Sequence, residues 1–260
     1  MRKAIFMLLV LATLVVAQER TGREIMEQAR ENQTLSGTEY IGTLTIYDSK
    51  GNVRSRKIAA ASKDYPAEHV SKRIIRFLEP ADVKGTGMLV FDHDLKDDDM
   101  WIYMPSLRKT RRIVSSDKGK SFMGSEFSNA DMAAENMNDF EYKLLGEAVF
   151  AGVDCWKIEV LPVDEDIADD NGFSRKVVWI AQSDYVMRHA EFYDMFEELF
   201  KVQTNSDVAV LDGEQQKYQA KTMVMENVQN GRKSVMSMDQ IAFNPNVKDE
   251  LFTTRYLERP

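Results

Sequence analysis

The sequence has a single cysteine, Cys155, so no disulfide can form within the chain and an apolar core must stabilise the fold. Cys155 lies close to Val153 and Trp156 in an apolar strand pattern, which favours a buried and unreactive thiol. Beyond residue 17 the chain has no apolar run of about 18 residues, the length at which a membrane-spanning helix is expected. We therefore expect a chain that does not span a membrane.

Histidine is equally scarce, and His69, His93 and His189 show no spacing typical of a metal site. The sequence also lacks a nucleophile elbow, a dinucleotide-binding loop and a phosphate-binding loop. Two acidic stretches, 92–99 and 164–170, lack the alternating oxygen ligands and central glycine of a calcium loop, and both are typical of solvated hairpin loops. These absences predict a protein without enzymatic activity, cofactor or metal.

Positive charge is in the minority, with 34 Lys and Arg against 42 Asp and Glu and a net charge of −8. This balance argues against nucleic acid or an anionic membrane as the main partner. One basic stretch stands out, and it makes Arg108, Arg111 and Arg112 candidates for contact with an anionic headgroup or an acidic partner. The same charges are also typical of an edge strand that is kept from pairing with other chains.

The N-terminus has the pattern of an export signal. Arg2 and Lys3 precede an apolar stretch over 4–16, and Val15 and Ala17 have the spacing of a small-residue cleavage site. The apolar stretch is shorter than the roughly 20 residues that a permanent spanning helix needs. We predict that residues 1–17 are a cleaved signal peptide and that residues 18–260 form a single soluble domain.

The hydrophobic pattern along the remaining chain is that of strands. One amphipathic helix is predicted between Thr21 and Asn32, and two helical pieces are predicted at Asn129–Met137 and Lys248–Leu257. Thirteen strands separated by turn residues are predicted at Tyr40–Tyr47, Val53–Ala61, Arg73–Leu78, Met88–Asp92, Met100–Met104, Arg108–Val114, Phe140–Val149, Cys155–Leu161, Arg175–Ile180, Val186–Tyr193, Phe200–Thr204, Gln215–Asn227 and Arg232–Ile241. This order predicts a mainly β fold (α+β) built as an antiparallel barrel or strongly curved sheet.

Two of these strands are apolar on both faces, around Met88–Asp92 and Met100–Met104. Both faces of an antiparallel sheet are apolar only where something covers each of them. Packed helices, a ligand and a partner protein are the alternatives. We predict that one face lines a ligand cavity in the hollow of the sheet through Leu89, Phe91, Trp101 and Tyr103.

Methionine is abundant, with 15 residues, and four of them fall on one predicted hairpin. A two-residue turn at Asn230-Gly231 would place Met225 opposite Met236 and Met223 opposite Met238, all on one face. Flexible, polarisable side chains suit a surface that adapts to varied acyl chains, and they equally suit an irregular core. We predict that these four line the ligand cavity: Met223, Met225, Met236 and Met238.

Three ordered blocks resemble a known family. These are Arg76 to Gly87 (RFLEPADVKGTG), Asp99 to Lys109 (DMWIYMPSLRK) and Phe122 to Ser128 (FMGSEFS). They resemble the outer-membrane lipoprotein-sorting-protein-like family, and the resemblance covers about residues 70 to 257. That family is similar in fold to the periplasmic carriers of the LolA and LolB type and to the sensor domain of RseB.

The resemblance implies an unclosed β-barrel whose apolar concave face is covered by helices, and a periplasmic location. It implies a carrier that shields the acyl chain of a lipid or lipoprotein during transport towards the outer membrane. The alternative is a non-enzymatic sensor or accessory subunit of a lipid exporter of the resistance-nodulation-division type, which binds protein instead of lipid. No ligand residue of a known carrier can be placed on this sequence by motif.

Overall fold

The fold was analysed in a computed structural model, which describes residues 20–259. The predicted signal peptide over 1–17 lies outside the described residues. Thirteen strands form the fold, with the following bounds: β1 Gly37–Tyr47, β2 Val53–Tyr65, β3 Val70–Glu79, β4 Gly87–His93, β5 Asp99–Met104, β6 Lys109–Ile113, β7 Phe140–Phe150, β8 Val153–Pro162, β9 Arg175–Ala181, β10 Met187–Tyr193, β11 Leu199–Asp212, β12 Lys217–Asn227 and β13 Arg232–Phe243.

All thirteen strands belong to one antiparallel sheet with the order β6-β5-β4-β3-β2-β1-β13-β12-β11-β10-β9-β8-β7. The first and last strands of the chain pair in the middle, with Leu44 of β1 opposite Met236 of β13. Every other connection joins sequence neighbours, so β6 and β7 are the two free edges and the sheet does not close. The predicted mainly β fold with an open, curved sheet is therefore confirmed.

Helix α1, Gly22–Gln33, packs against one face of the sheet, which we name the inner face. Its start is fixed by a capping box in which Glu24 N–H donates to Thr21 Oγ1 and Thr21 N–H donates to the Glu24 carboxylate. Ile25 and Ala29 are buried on its sheet-facing side. A Cβ at Gly22 would lie 2.8 Å from the Tyr142 carbonyl oxygen of β7, so only glycine allows this close approach.

The other helical elements are short. A helix α2 spans Glu165–Asn171. Asp164 caps its N-terminus, because the Asp164 carboxylate accepts from Ile167 N–H. This acidic stretch is therefore a short helix and not the predicted loop. The predicted helix at Asn129–Met137 is reduced to a 3-10 turn at Ala130–Met132. At the C-terminus the structure has a 3-10 turn, Asp249–Leu251, and a single-turn helix α3, Thr254–Leu257. These two turns pack on the opposite, outer face of the sheet, against Ile74 and Leu89.

Candidate ligand site

The inner face is covered by α1 and by the long connection between the two edge strands β6 and β7. We name residues 121–128 of this connection the plug and residues 129–139 the strap. The plug buries Phe122 and Phe127 in the main core, and the Phe122 ring lies 5.8 Å from the Phe77 ring of β3. The cover that the fold prediction assigned to helices is therefore one helix and one irregular segment.

The plug is a compact turn with polar attachments to the sheet. It closes on itself because Phe122 N–H donates to the Phe127 carbonyl at 2.8 Å. Glu126 N–H donates to Ser234 Oγ of β13 at 2.9 Å, and the buried Glu126 carboxylate lies 2.9 Å from Arg232 Nε in an ion pair without hydrogen-bond geometry. These contacts give a physical role to the Phe122–Ser128 block that carried part of the family resemblance.

Charged side chains from several elements hold the strap. Arg73 of β3 donates to the Met132 carbonyl at 2.6 Å, and Arg30 of α1 donates to the Glu135 carbonyl at 3.5 Å. Lys176 of β9 forms an ion pair with the Glu135 carboxylate. The apolar anchors of the strap are few, since Met132 and Met137 are its buried apolar residues between 129 and 139.

Asp92 lies beneath the strap on the inner face and is only 4% exposed. Its Oδ1 accepts from Ala134 N–H at 2.9 Å, whereas its Oδ2 has no hydrogen-bond partner. Burial raises the pKa of Asp92 to about 6, in spite of the nearby Arg73 and Arg30 guanidinium groups. A buried carboxylate with one unpartnered oxygen opposes closure of the strap when it is ionised.

Two cavities flank the strap. The first, which we name the methionine cavity, has a volume of about 230 Å³ and lies against the inner face of β1, β12 and β13. The second, which we name the polar cavity, has a volume of about 200 Å³. Asp131 lines both of them. The methionine cavity is lined on its apolar side by Tyr40, Ile75, Met132, Met223, Met236 and Met238.

The four predicted methionines share the inner face, but their predicted register is wrong by two residues. Met223 lies opposite Met236, and Met225 lies opposite Ser234, because the turn after β12 has four residues and closes at the pair Asn227 and Arg232. A shift of two residues keeps every side chain on its face. Met223, Met236 and Met238 reach the methionine cavity, whereas Met225 is buried in the core. Their contact with ligand stays a prediction.

The four predicted residues of β4 and β5 do share one face, but it is not the face of the hollow. Leu89 lies directly opposite Trp101, and Phe91 packs edge-on against Trp101 at 5.2 Å. This cluster also includes Tyr103, and the chain's own C-terminal segment covers it through Phe252 and other residues. The placement of Leu89, Phe91, Trp101 and Tyr103 in the hollow is therefore wrong, because the inner face is formed by the alternate residues Met88, Val90, Met100 and Ile102.

The predicted basic residues do not form one site. Arg108 occupies the turn before β6 with a φ of 47° and is exposed, whereas Arg111 and Arg112 alternate on a strand and so point to opposite faces. Arg112 pairs with Asp99 at 2.5 Å. The strand that carries them is an edge of the sheet, as the edge-protection interpretation requires. Their contact with a headgroup or partner stays a prediction.

Sequence reasoning missed Asp92, which was assigned to a solvated acidic loop. The strand pattern could have indicated its position, because side chains two residues apart share a face of a strand and Asp92 alternates with Met88 and Val90. The bonds that Arg73 and Arg30 make to the strap had no local signal, since their partners lie 59 and 105 residues away in the sequence. Cys155 is fully buried as predicted, and burial raises the pKa of its thiol.

No helix among residues 20–259 is both long enough and apolar enough to cross a bilayer. The fold is similar to several solved structures. An outer membrane lipoprotein-sorting protein domain from Vibrio parahaemolyticus is 26% identical with a TM-score of 0.84, over 92% of this chain and 98% of that chain. A DUF1329 family protein from Desulfovibrio piger is 27% identical with a TM-score of 0.83, over 91% and 97% of the two chains.

A LolA superfamily protein from Nitrosomonas europaea shares the fold at 21% identity and a TM-score of 0.69, over 92% of this chain and 100% of that chain. No curated protein sequence matches the chain. A sequence-family profile described as "uncharacterized protein" matches residues 69–259, nearly the range over which the three motif blocks resemble the lipoprotein-sorting family. The chain belongs to the family of that profile, and its fold is LolA-like, shared with an outer-membrane lipoprotein-sorting protein domain.

Proposed function

We propose that this chain is a periplasmic carrier that shields the acyl chain of a lipid or lipoprotein during transport towards the outer membrane. The observation that carries the proposal is the methionine cavity, a space on the inner face with one methionine-rich apolar wall, beneath a strap that is held by polar bonds. The similarity to a lipoprotein-sorting protein domain supports it. The mechanism is burial and transfer, and it requires no catalytic group.

Burial of apolar area contributes about 25 cal/mol per Å², so one acyl chain contributes several kcal/mol to binding. Methionine side chains adapt to tails of different shape, which suits a carrier with more than one cargo. Release then requires a partner that binds the open form of the cover more tightly than the closed form. In this proposal residues 1–17 direct export and are removed, and residues 18–260 act as a single carrier domain.

The direct test is mass spectrometry of organic extracts of the protein purified from its native host. We expect an acyl lipid in about stoichiometric amount, and an intact mass that corresponds to a chain beginning at Gln18. A variant that fills the cavity, Met238→Trp, should weaken binding of a fluorescent fatty-acid probe by about tenfold or more, because the indole takes the place of the tail. The matched control Met195→Trp, in the exposed turn after β10, should bind like the wild type.

An extract without lipid, together with equal affinity in wild type and Met238→Trp, would refute the carrier proposal.

The second candidate is a sensor or accessory subunit of a lipid exporter, and an exposed apolar tip favours it. Phe196 is 86% exposed, and Met195 in the same turn and Val228 in the turn after β12 are also exposed. The two turns that carry them are joined because Gln229 donates to Asp194 at 3.0 Å.

This second candidate predicts a stable complex with a membrane protein in the native host. Phe196→Ser should abolish that complex and leave the melting temperature unchanged, because the ring is not part of the core. Leu107→Ser, at an exposed position in the turn before β6, is the matched control. If both variants retain the complex, the tip is not the contact surface.

A further inference from the structure

The methionine cavity also has a polar wall. Five neutral polar residues line it: Gln33, Thr38, Ser62, Gln203 and Gln219. The charged lining residues are one of each sign, Arg73 and Asp131. The cavity volume of about 230 Å³ lies below the roughly 300–1,000 Å³ of most ligand sites, which favours a small ligand with one short chain.

The register of the sheet gathers several of these side chains at one end of the cavity. Thr38 of β1 lies opposite Ser62 of β2, and Ser62 lies opposite Arg73 of β3, so the three form a row across the strands on the inner face. Strand β12 runs parallel to β1, because both are antiparallel to β13, and Gln219 near its start lies at the same end as Thr38. Met223 follows on the same face about 13 Å further along β12. The cavity is therefore polar at one end and rich in methionine at the other.

This polar end has unused hydrogen-bonding capacity. The Thr38 and Ser62 hydroxyls bond to each other at 2.6 Å, which leaves one of their two protons free to donate. Within residues 20–259 the side-chain amide of Gln219 has no hydrogen-bond partner, and neither has the hydroxyl of Tyr40, two residues after Thr38 on the same face. Burial raises the pKa of Tyr40, so its hydroxyl stays protonated and able to donate. A head with its own hydroxyl and carbonyl groups satisfies these groups, and an alkyl chain alone does not.

The charges around the cavity favour a head without net charge. Arg73 donates to the Met132 carbonyl at 2.6 Å and forms no ion pair in the described part of the chain, but it lies near Asp92 and acts on its pKa. The Asp131 carboxylate accepts from Ser128 N–H at 2.7 Å. An anionic head meets the two carboxylates and a cationic head meets the guanidinium, so neither finds an unshared partner of opposite sign. A charge that leaves water without such a partner is costly, whereas a neutral head needs only hydrogen bonds.

We propose that the methionine cavity binds a single short acyl chain esterified to a small uncharged polyol of about the size of glycerol. The ester and hydroxyl groups of the head lie at the polar end, against Thr38, Ser62 and Gln219, and the tail lies against the methionines. The inference rests on the proposed carrier function and narrows its ligand.

The test compares three probes with the same short tail by calorimetry at neutral pH, below their micellar concentrations: octanoylglycerol, octanoate and octylamine. We expect octanoylglycerol to bind about tenfold or more tightly than either charged probe, because only the charged heads lose hydration without a partner. A charged probe that binds as tightly as octanoylglycerol overturns the inference and leaves the carrier proposal standing. Failure of all three probes to bind also overturns the inference, and the lipid extract of the native protein then decides the carrier proposal.

Two variants test where the head lies. Gln219→Leu removes the amide at similar size, and it should weaken octanoylglycerol binding about fivefold and change the affinity for the charged probes by less than about twofold. The double variant Thr38→Val with Ser62→Ala should act in the same way, and it should cost little stability because both partners of one hydrogen bond are removed together. Gln240→Leu, at an exposed position of β13 outside the cavity, is the matched control and should bind like the wild type. An unchanged preference in both variants means that the head does not lie at the polar end, and it overturns the inference.

Discussion

Both faces of the sheet are covered by irregular segments, and the two covers differ in what holds them. On the outer face the C-terminal segment buries Val247, Phe252 and Leu257, each less than 5% exposed, against β2 to β5. On the inner face the strap buries mainly Met132 and Met137, and it lies over the ionisable Asp92 with a cavity on either side.

This difference indicates which cover is permanent. Apolar side chains in a close-packed cluster lose contacts and apolar burial when they leave it, and hydration does not compensate for that loss. Charged bonds to backbone groups are replaced by water at small net cost, and a buried carboxylate gains by becoming hydrated. The outer cover therefore behaves as part of the core, and the inner cover behaves as a segment that can open without unfolding the sheet.

The largest expected effect comes from truncating the outer cover. Phe252→Ala should lower the free energy of unfolding by about 3–5 kcal/mol, because a large ring leaves a packed cluster and a cavity remains. Met132→Ala should cost less, at or below about 2 kcal/mol, if the strap opens without unfolding the sheet. Urea denaturation of both variants measures the contrast. An equal loss in the two variants would show that the strap is also part of the permanent core.

The next effect is a pH dependence of the inner cover. Burial raises the pKa of Asp92 from its ordinary value of 3.8 to about 6, so ionisation of Asp92 opposes the folded, closed state above pH 6. This cost, about 3 kcal/mol at neutral pH, disappears as the pH falls from about 6 to about 4. The charged groups that face Asp92 are Arg73 of β3, Arg30 of α1 and Asp98 of the turn after β4, and the strap presents the Ala134 amide.

The measurement is the free energy of unfolding of wild type minus that of Asp92→Asn between pH 4 and pH 7.5. Asparagine mimics the protonated acid, so this difference cancels the contributions of other titrating groups. We expect Asp92→Asn to be the more stable protein at pH 7.5, and the difference to shrink towards acidic pH. A difference that does not vary with pH would mean that Asp92 is hydrated in the folded protein.

The comparison of the two faces also shows where sequence reasoning stops. Period-two alternation and turn residues predicted all thirteen strands, because each strand has a local pattern that its neighbours in space do not alter. In β4 and β5 both faces are apolar, and parity alone cannot decide which one points inward. Leu89 and Trp101 were therefore assigned to the hollow, although the residues that line it are the alternate ones, Met88 and Met100.

Features that depend on distant partners were also beyond local patterns. The register of the methionine hairpin depended on a turn length that the Asn230-Gly231 pair does not specify by itself, and the structure uses four residues instead of two. The helix α2 was missed because its acidic residues are equally typical of a solvated loop. The plug has no periodicity, and the helical pattern at Asn129–Met137 in the strap is realised only as a 3-10 turn at Ala130–Met132. The position of both segments follows from the ends of β6 and β7 and from the space between them.

The smallest effect on stability per site, and the sharpest test of adaptability, comes from replacing Met223, Met225, Met236 and Met238 by leucine. The exchange conserves volume approximately, so it should cost no more than about 1.5 kcal/mol per site. The exchange gives the methionine cavity less flexible side chains, as in the apolar residues of the outer cover. If the wall contacts ligand, binding of saturated, unsaturated and branched single-chain lipids should narrow to fewer shapes, because leucine has fewer rotatable bonds than methionine.

Met88→Leu with Met100→Leu is the control, since both residues are buried in the core and neither lines the methionine cavity. Displacement of a fluorescent fatty-acid probe by each lipid measures the profile. An unchanged profile in the quadruple variant would mean that the four methionines only fill the core and do not form an adaptable binding surface.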